Sequence, residues 1–449
     1  MSLLDAKDEF ALNLIKKVAL KELANHSPQC PFFETVALEL ISEFVEVIPP
    51  VLLADILPHL QKGLEAKSRL WSTYSTLSMT KILLKAKHGS FRVNPALLLN
   101  NTLEFLYFTR TAKRNDFTVY LVGGALRALV REVCKQHEPS MLLFLESRIF
   151  PVIEELLNDC LTCETLLPSL CDLVTQLIQV QRSTLSVKYV DIVYSLVSAD
   201  AWLKANDAAA LVRLVQALLL NNPQEFRWSM VFRMLTGLVS SPKAVGDGVN
   251  GLKLLVGTGT LSYRDISPFM SEMWAAVNTV VGTQKILLLS LFVVKHGVDP
   301  LITDLNAVRG TNFKSVLVKW IPDLKLVKEE YDVKLAVVAG TRVICHPRVF
   351  EYESSHERWG SFVENILVLL IKKQKKGDSE DLIPEVEDPK LFLVTSLSKL
   401  TEDHPAKYLN MFAKHVNRGL VAELQKLCDD YNVNLELPPV ETKGKKKKK

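Results

Sequence analysis

The sequence predicts an all-α protein built from stacked antiparallel helix pairs. Three observations carry that prediction. Apolar residues recur at helical spacing along most of the 449 residues, and no stretch shows the alternation of a strand. Prolines stand at or near many expected helix starts (Pro50, Pro95, Pro139, Pro223, Pro389 and Pro405), where a missing N–H costs nothing. Connections are mostly short, so consecutive helices lie antiparallel, and each pair occupies roughly 40–50 residues, the period of HEAT and armadillo repeats. The fold class is therefore a HEAT-repeat α-solenoid, inferred from spacing rather than from a copied motif.

The expected helices run Phe10–Leu23, Cys30–Val47, Pro50–Leu64, Arg69–Lys87, Pro95–Thr109, Phe117–Lys135 and Pro139–Leu157. Cys163–Val180, Val187–Val197, Asp207–Leu220, Pro223–Val239, Val249–Val256, Tyr263–Val280 and Thr283–His296 follow. Next comes Thr311–Pro347, where Phe313, Val316, Leu317, Trp320, Ile321 and Leu324 fall on one helical face. Thr311 and Asn312 can cap that helix, and Pro322 should kink it. A second helix then starts with Glu329, Glu330 and Asp332, where negative charge suits the dipole, and Pro347 ends it. The two are expected to form an antiparallel hairpin that needs further copies on either side to bury its apolar face. His356–Lys372, Pro389–Leu400 and Pro405–Tyr431 complete the series.

Pairing these helices leaves Phe10–Leu23 over. Its stripe of Phe10, Leu14, Val18 and Ile15 has no sequence-adjacent partner on its N-terminal side and no clear polar outer cap, so the chain is expected to begin in mid-array. The array is expected to cover residues 1–373, with a charged surface loop at 374–388, a terminal helical repeat at 389–435 and a disordered basic tail at 436–449.

Hydrophobic residues at 48% and charged residues at 23% permit a large core. Apolar runs such as Phe362–Ile371 fall short of the roughly 18 residues of a membrane span, and the first residues, MSLLDAKDEF, carry acids where a secretory signal would be basic and then apolar. A soluble intracellular protein is expected, its seven cysteines reduced and packed as small hydrophobes. Net charge is +4, and the five lysines Lys445, Lys446, Lys447, Lys448 and Lys449 account for it, so the folded part is near neutral. That argues against nucleic-acid binding except through the tail.

No motif assembles an active site. Gly246–Gly251 matches G-x-G-x-x-G, but a loop precedes it where a nucleotide site needs a strand, so an inter-helix turn is expected. Cys160 and Cys163 form a C-x-x-C with only Cys171 near enough to complete a metal set; packed thiols are expected. No H-E-x-x-H or G-x-S-x-G is present. Trp71, Trp202, Trp228, Trp274, Trp320 and Trp359 mostly fall in helical stripes and read as core. The remaining candidates for contact with a partner are the acids Asp378, Glu380, Asp381, Glu385, Glu387 and Asp388, and the lysine tail. No catalytic, cofactor or metal residue is expected.

Several stretches are similar to a known family. They are TNFKSVLVKWIPDLKLVKEEYDVKLAVVAGTRVIC (Thr311–Cys345), AALVRLVQALL (Ala209–Leu219), KILLLSLFVVKHG (Lys285–Gly297), ALRALVREVCK (Ala125–Lys135) and DPKLFLVTSLSKL (Asp388–Leu400). Their order, from Phe10 to Tyr431, resembles the C-terminal half of the exportin-2, or CAS, family of nuclear transport receptors. The resemblance implies a HEAT-repeat solenoid that wraps cargo and the GTPase Ran in its GTP form, returns importin-α to the cytoplasm, and shuttles between nucleus and cytoplasm. Two departures accompany it. The family's N-terminal half, with the principal Ran-binding repeats, is not in this chain, so a separate polypeptide could supply it; and the loop Gln374–Asp388 is shorter than the family's. The rival expectation is a HEAT scaffold for another assembly, with no Ran dependence.

Overall fold

A computed structural model describes residues 3–25, 32–45, 47–64, 69–85, scattered residues between 143 and 157, 166–180, 185–205, 208–221, 226–350, 356–372, 374–376 and 380–438. The expected helices Pro95–Thr109 and Phe117–Lys135, the Cys160/Cys163 pair, Asp378 and the Lys445–Lys449 tail lie outside them. Among the described residues every regular element is helical, and the only β-type pairing is an isolated bridge between Glu329 and Lys375. The chain divides into two compact units, Met1–Phe226 and Arg227–Lys449.

The first unit opens with α1 (Leu3–Leu14), a π-helical turn (Ile15–Ala19) and α2 (Leu20–Ala24). The buried stripe here is Ala11, Ile15, Ala19 and Leu23, spaced by four, while Phe10 and Val18 face solvent. A four-residue period drifts off the face of an ordinary 3.6-residue helix; the wider π turn keeps these residues aligned. The stripe drawn through Phe10, Leu14 and Val18 was thus one position off, with Ile15 alone shared. Helices α3 (Phe32–Glu43), α4 (Pro50–Leu64) and α5 (Arg69–Lys85) follow, α5 packing on both. Further on, α6 (Leu166–Val180), α7 (Val187–Val197) and α8 (Ala209–Asn221) pack together, α6 against both α7 and α8.

The second unit contains α9 (Trp228–Val239), α10 (Val245–Gly257), α11 (Tyr263–Ile266), α12 (Met270–Val277), α13 (Thr283–His296), α14 (Val298–Ala307), α15 (Phe313–Asp323), α16 (Glu330–Ile344), α17 (Pro347–Phe350), α18 (His356–Ile371), α19 (Pro389–Asp403), α20 (Pro405–His415) and α21 (Arg418–Asp430). They sort into two rows. One runs α9, α12, α14 with α15, α18, α20; the other runs α10, α13, α16, α19, each member touching the next. This is the stacking of two-helix repeats that a solenoid requires.

Side-chain bonds between neighbouring repeats measure the period directly. Ser78 donates to the Leu38 carbonyl 40 residues away, and Cys171 to that of Ala210 at 39. Arg213 forks onto Asp172 at a separation of 41, and Tyr263 donates to Asp304 at 41. Arg342 donates to the Val294 carbonyl at 48, and Arg348 to Asp299 at 49. Equivalent positions of adjacent repeats are therefore the ones that meet, and the unit is the 40–50 residues expected.

Five expectations need correction. The G-x-G-x-x-G run is not a turn but the start of α10, which begins at Val245 rather than Val249. A Cβ on Gly248 would lie 2.7 Å from the Val239 nitrogen and 2.9 Å from the Leu235 carbonyl, and one on Gly251 would strike Leu235. The glycines bring α9 and α10 into close contact. Helix α14 was missed: it is ten residues long, with Pro300 in its first turn, and it begins directly after Gly297, whose φ of +97° separates it from α13. Pro405–Tyr431 is two helices, broken where Asn417 accepts from the Gly419 N–H and donates its own N–H to Glu364. Finally, α15 and α16 pair less closely than a hairpin: α15 packs on α14 and α18, and α16 on α13, α18 and α19. Pro322 does not kink α15 midway; the helix ends at Asp323 and tightens into a 3₁₀ turn over Leu324–Leu326. The expected Asn312 cap is present, in a reciprocal box with Ser315.

The tryptophans behave as expected, with Trp71, Trp202, Trp274, Trp320 and Trp359 buried and Trp228 half-buried.

Candidate partner-binding surface

Helix α16 is the centre of the second unit. Every residue from Val333 to Ile344 is buried except Arg342, so it is covered on all sides. Part of that cover is the charged segment after α18. Lys375 N–H donates to the Lys328 carbonyl at 2.9 Å, and Lys375 C=O accepts from the Glu330 N–H at 3.1 Å. Farther along, Asp381 accepts 2.6 Å from Lys334 Nζ, and its second oxygen accepts from the Ile383 N–H. Ile383 itself is fully buried. Glu385 lies 3.7 Å from Lys295 at the end of α13. Asp388 ends the segment as the N-cap of α19, accepting from the Lys390 N–H, while the Tyr431 hydroxyl of α21 donates to its other oxygen. That bond, followed by burial, pushes the Tyr431 hydroxyl up to about 12.

Within the segment expected as a charged surface loop, the described residues 374–376 and 380–388 form a strap, tied to α13, α16, α19 and α21. Three of the six acids singled out in the sequence, Asp381, Glu385 and Asp388, are used to hold it. Glu380 and Glu387 face solvent. Their binding partners inside the chain, Lys334, Lys295 and Tyr431, were not singled out. Lys334 carried a signal, since it is a cation inside the apolar run Val333–Ile344.

Beside the strap's anchor sits a second charged group. Burial lowers the Lys253 ammonium on α10 and raises the Asp332 carboxyl on α16, with the Glu329 charge adding to the latter; each of Lys253 and Asp332 partly offsets the other's burial.

The three thiols among the described residues are poor nucleophiles and ligands. Burial raises Cys171 well above its usual value, Cys345 to about 12 and Cys428 to about 11. Among the described residues no cluster of three His, Cys, Asp or Glu could hold a metal, and no helix is long and apolar enough to cross a membrane.

The Lys334–Asp381 pair should set the strap's stability, because Lys334 keeps only 10% of its side chain exposed and Asp381 27%. Asp381→Asn removes the charge while keeping the shape, at a cost of about 1.5–3 kcal/mol, the worth of a hydrogen bond to a charged group. Amide exchange at Lys375 and Glu330 should then speed up several-fold, while exchange in α9 stays unchanged; unaltered exchange at Lys375 would show that the pair does not hold the strap.

Comparison with known proteins gives a consistent family. The model described as "CAS/CSE protein, C-terminus" matches residues 79–381. A curated protein named Exportin-2 from Oreochromis niloticus is 21% identical over 385 residues, which cover 76% of this chain and 39% of that protein. Exportin-2 of Drosophila melanogaster is 18% identical over 504 residues, 90% of this chain and 51% of its own. The solved structure described as "The exportin Cse1 in its cargo-free, cytoplasmic state" aligns with a TM-score of 0.54 at 14% identity, over 93% of this chain and 51% of that one, a likeness of fold. The chain thus spans from about two fifths to half of the length of these relatives.

Proposed function

The chain belongs to the CAS/CSE family, and from that premise we propose that it is an exportin-2-like transport receptor segment, non-enzymatic, that binds importin-α together with Ran-GTP for export from the nucleus. The observation that carries the reading is the match of the CAS/CSE C-terminal model across 79–381, which spans the central repeats and reaches into the strap. The strap supplies a physical means. It ties α13 and α16 through charge pairs and α19 and α21 through hydrogen bonds to Asp388, so a partner that competes for Lys295 or Lys334, or draws on the exposed Glu380 and Glu387, changes how tightly successive repeats are held. Repeats that touch only their neighbours transmit such a change along the stack. The lysine tail, Lys445–Lys449, is a further basic contact in this reading, toward an acidic partner or RNA. Such a receptor shuttles between nucleus and cytoplasm.

Immobilised full-length chain tests the reading. Importin-α should be retained with Ran loaded with a non-hydrolysable GTP analogue, and lost with Ran-GDP. Retention regardless of nucleotide would favour the scaffold alternative, and no retention at all would overturn the export reading.

A further inference from the structure

A cleft of about 500 Å³ opens where the turn between α12 and α13 meets the last turn of α15. Besides the carboxylate Asp323, its lining brings together three kinds of group. Val281 and Val318 are apolar and exposed, Val281 at 87%. Lys285 and Lys319 are cationic. Trp320 is buried, and its indole N–H has no acceptor.

The sequence explains why these groups meet. Gly282 takes a φ of +86°, which lets the chain turn sharply into α13 and leaves Val281 projecting. Lys285, in the first turn of α13, is almost entirely buried, and its Nζ donates to the Asn278 carbonyl at 3.2 Å and side-chain oxygen at 3.0 Å. Both acceptors are neutral. Burial, and secondarily the nearby Lys319 ammonium, lower Lys285 to about 8, against an opposing pull from Asp323. Neither lysine forms an ion pair among the described residues. On the facing side Pro322 has no N–H, so the Val318 carbonyl lacks its helical donor.

The cleft therefore offers two cations against one carboxylate, Asp323, that pairs with neither, a carbonyl without its donor, and an apolar rim. A carboxylate, a backbone N–H and an aliphatic side chain answer these in turn, and an extended acidic peptide carries all three. We propose that this cleft docks an extended segment of a partner protein in which a Glu or Asp meets Lys285 and Lys319 while an adjoining aliphatic side chain rests on Val281 and Val318. Phosphate matches the cations but not the rim, and a purely apolar ligand would leave the cations unanswered. The proposal is independent of the export reading, because it requires neither Ran nor importin-α.

The test uses the full chain and a fluorescein-labelled nonapeptide alternating Glu and Leu, followed by anisotropy, with a Gln/Leu peptide as control. The Glu/Leu peptide should bind, and the Gln/Leu peptide should bind at least about tenfold more weakly, the effect of losing a charge-assisted bond. Lys285→Gln and Lys319→Gln should each weaken binding by a similar factor, as should Val281→Glu. Lys319 and Val281 are exposed, so those two variants keep the fold even if Lys285→Gln does not. Equal binding of the two peptides, or no effect of Lys319→Gln and Val281→Glu, would overturn the proposal. Displacement of the peptide by equimolar inorganic phosphate would also overturn it, showing an anion site without a peptide preference.

Discussion

Trp359→Ala is expected to undock the last repeats. The indole is buried, its N–H donates to the Ile344 carbonyl at 2.8 Å, and its ring meets Tyr408 and Phe412 edge-on at 6.1 and 5.3 Å. One side chain thus joins α16, α18 and α20. Its removal leaves a cavity, an unpaired carbonyl and two aromatic rings without their partner, a cost of about 3–5 kcal/mol. Because the strap is fixed at its far end through Asp388 and Tyr431, loosening α19–α21 should free the strap too. Limited proteolysis should then cut between Leu370 and Asp388 faster than in the wild type. Trp359→Phe, which keeps ring packing but not the donor, should fall between them. A wild-type digestion pattern for Trp359→Ala would show that the terminal repeats hold without it.

The glycines of α10 give a contrast that the motif alone would not suggest. Gly248→Ala should destabilise the second unit by about 2–3 kcal/mol, because its Cβ would press on backbone atoms of α9, which cannot rotate away. Gly246→Ala should be neutral or stabilising by up to about 1 kcal/mol, since nothing lies within 4 Å of its Cβ and alanine favours the helix. Thermal melts of the two variants should therefore move in opposite directions, Gly248→Ala downward by several degrees. Shifts of the same sign and size would mean that the helix contact is not what these glycines serve.

These two sites mark how far the sequence could be read. Trp359 sits on an apolar stripe and was legible as core; that it links three helices was not. The glycine run reads as a turn and is instead the start of a helix, because glycine permits both a turn and a close helix crossing. Only the neighbour, Leu235 and Val239 on α9, decides between them. The charged segment shows the same limit at the candidate surface. Composition marks 374–388 as polar, and polar segments are usually hydrated. Asp381 and Glu385 instead reach Lys334 and Lys295, 47 and 90 residues away in the chain, and no local pattern encodes such a distance. Helix α14 was obscured by Pro300, and the break at Asn417 was visible only as the short Asn-Arg-Gly turn signal inside a long apolar period.

The sequence by itself determined the helices and their pairing period, because both follow from local physics: apolar spacing, caps and prolines act over a few residues, and each repeat meets only the next. Tertiary structure alone decided which surfaces remain available. A side chain's exposure depends on what another repeat, some 40–50 residues away, lays across it. That is why the bond from Lys334 to Asp381, and the cleft beside Lys285, could be found only once the helices were stacked.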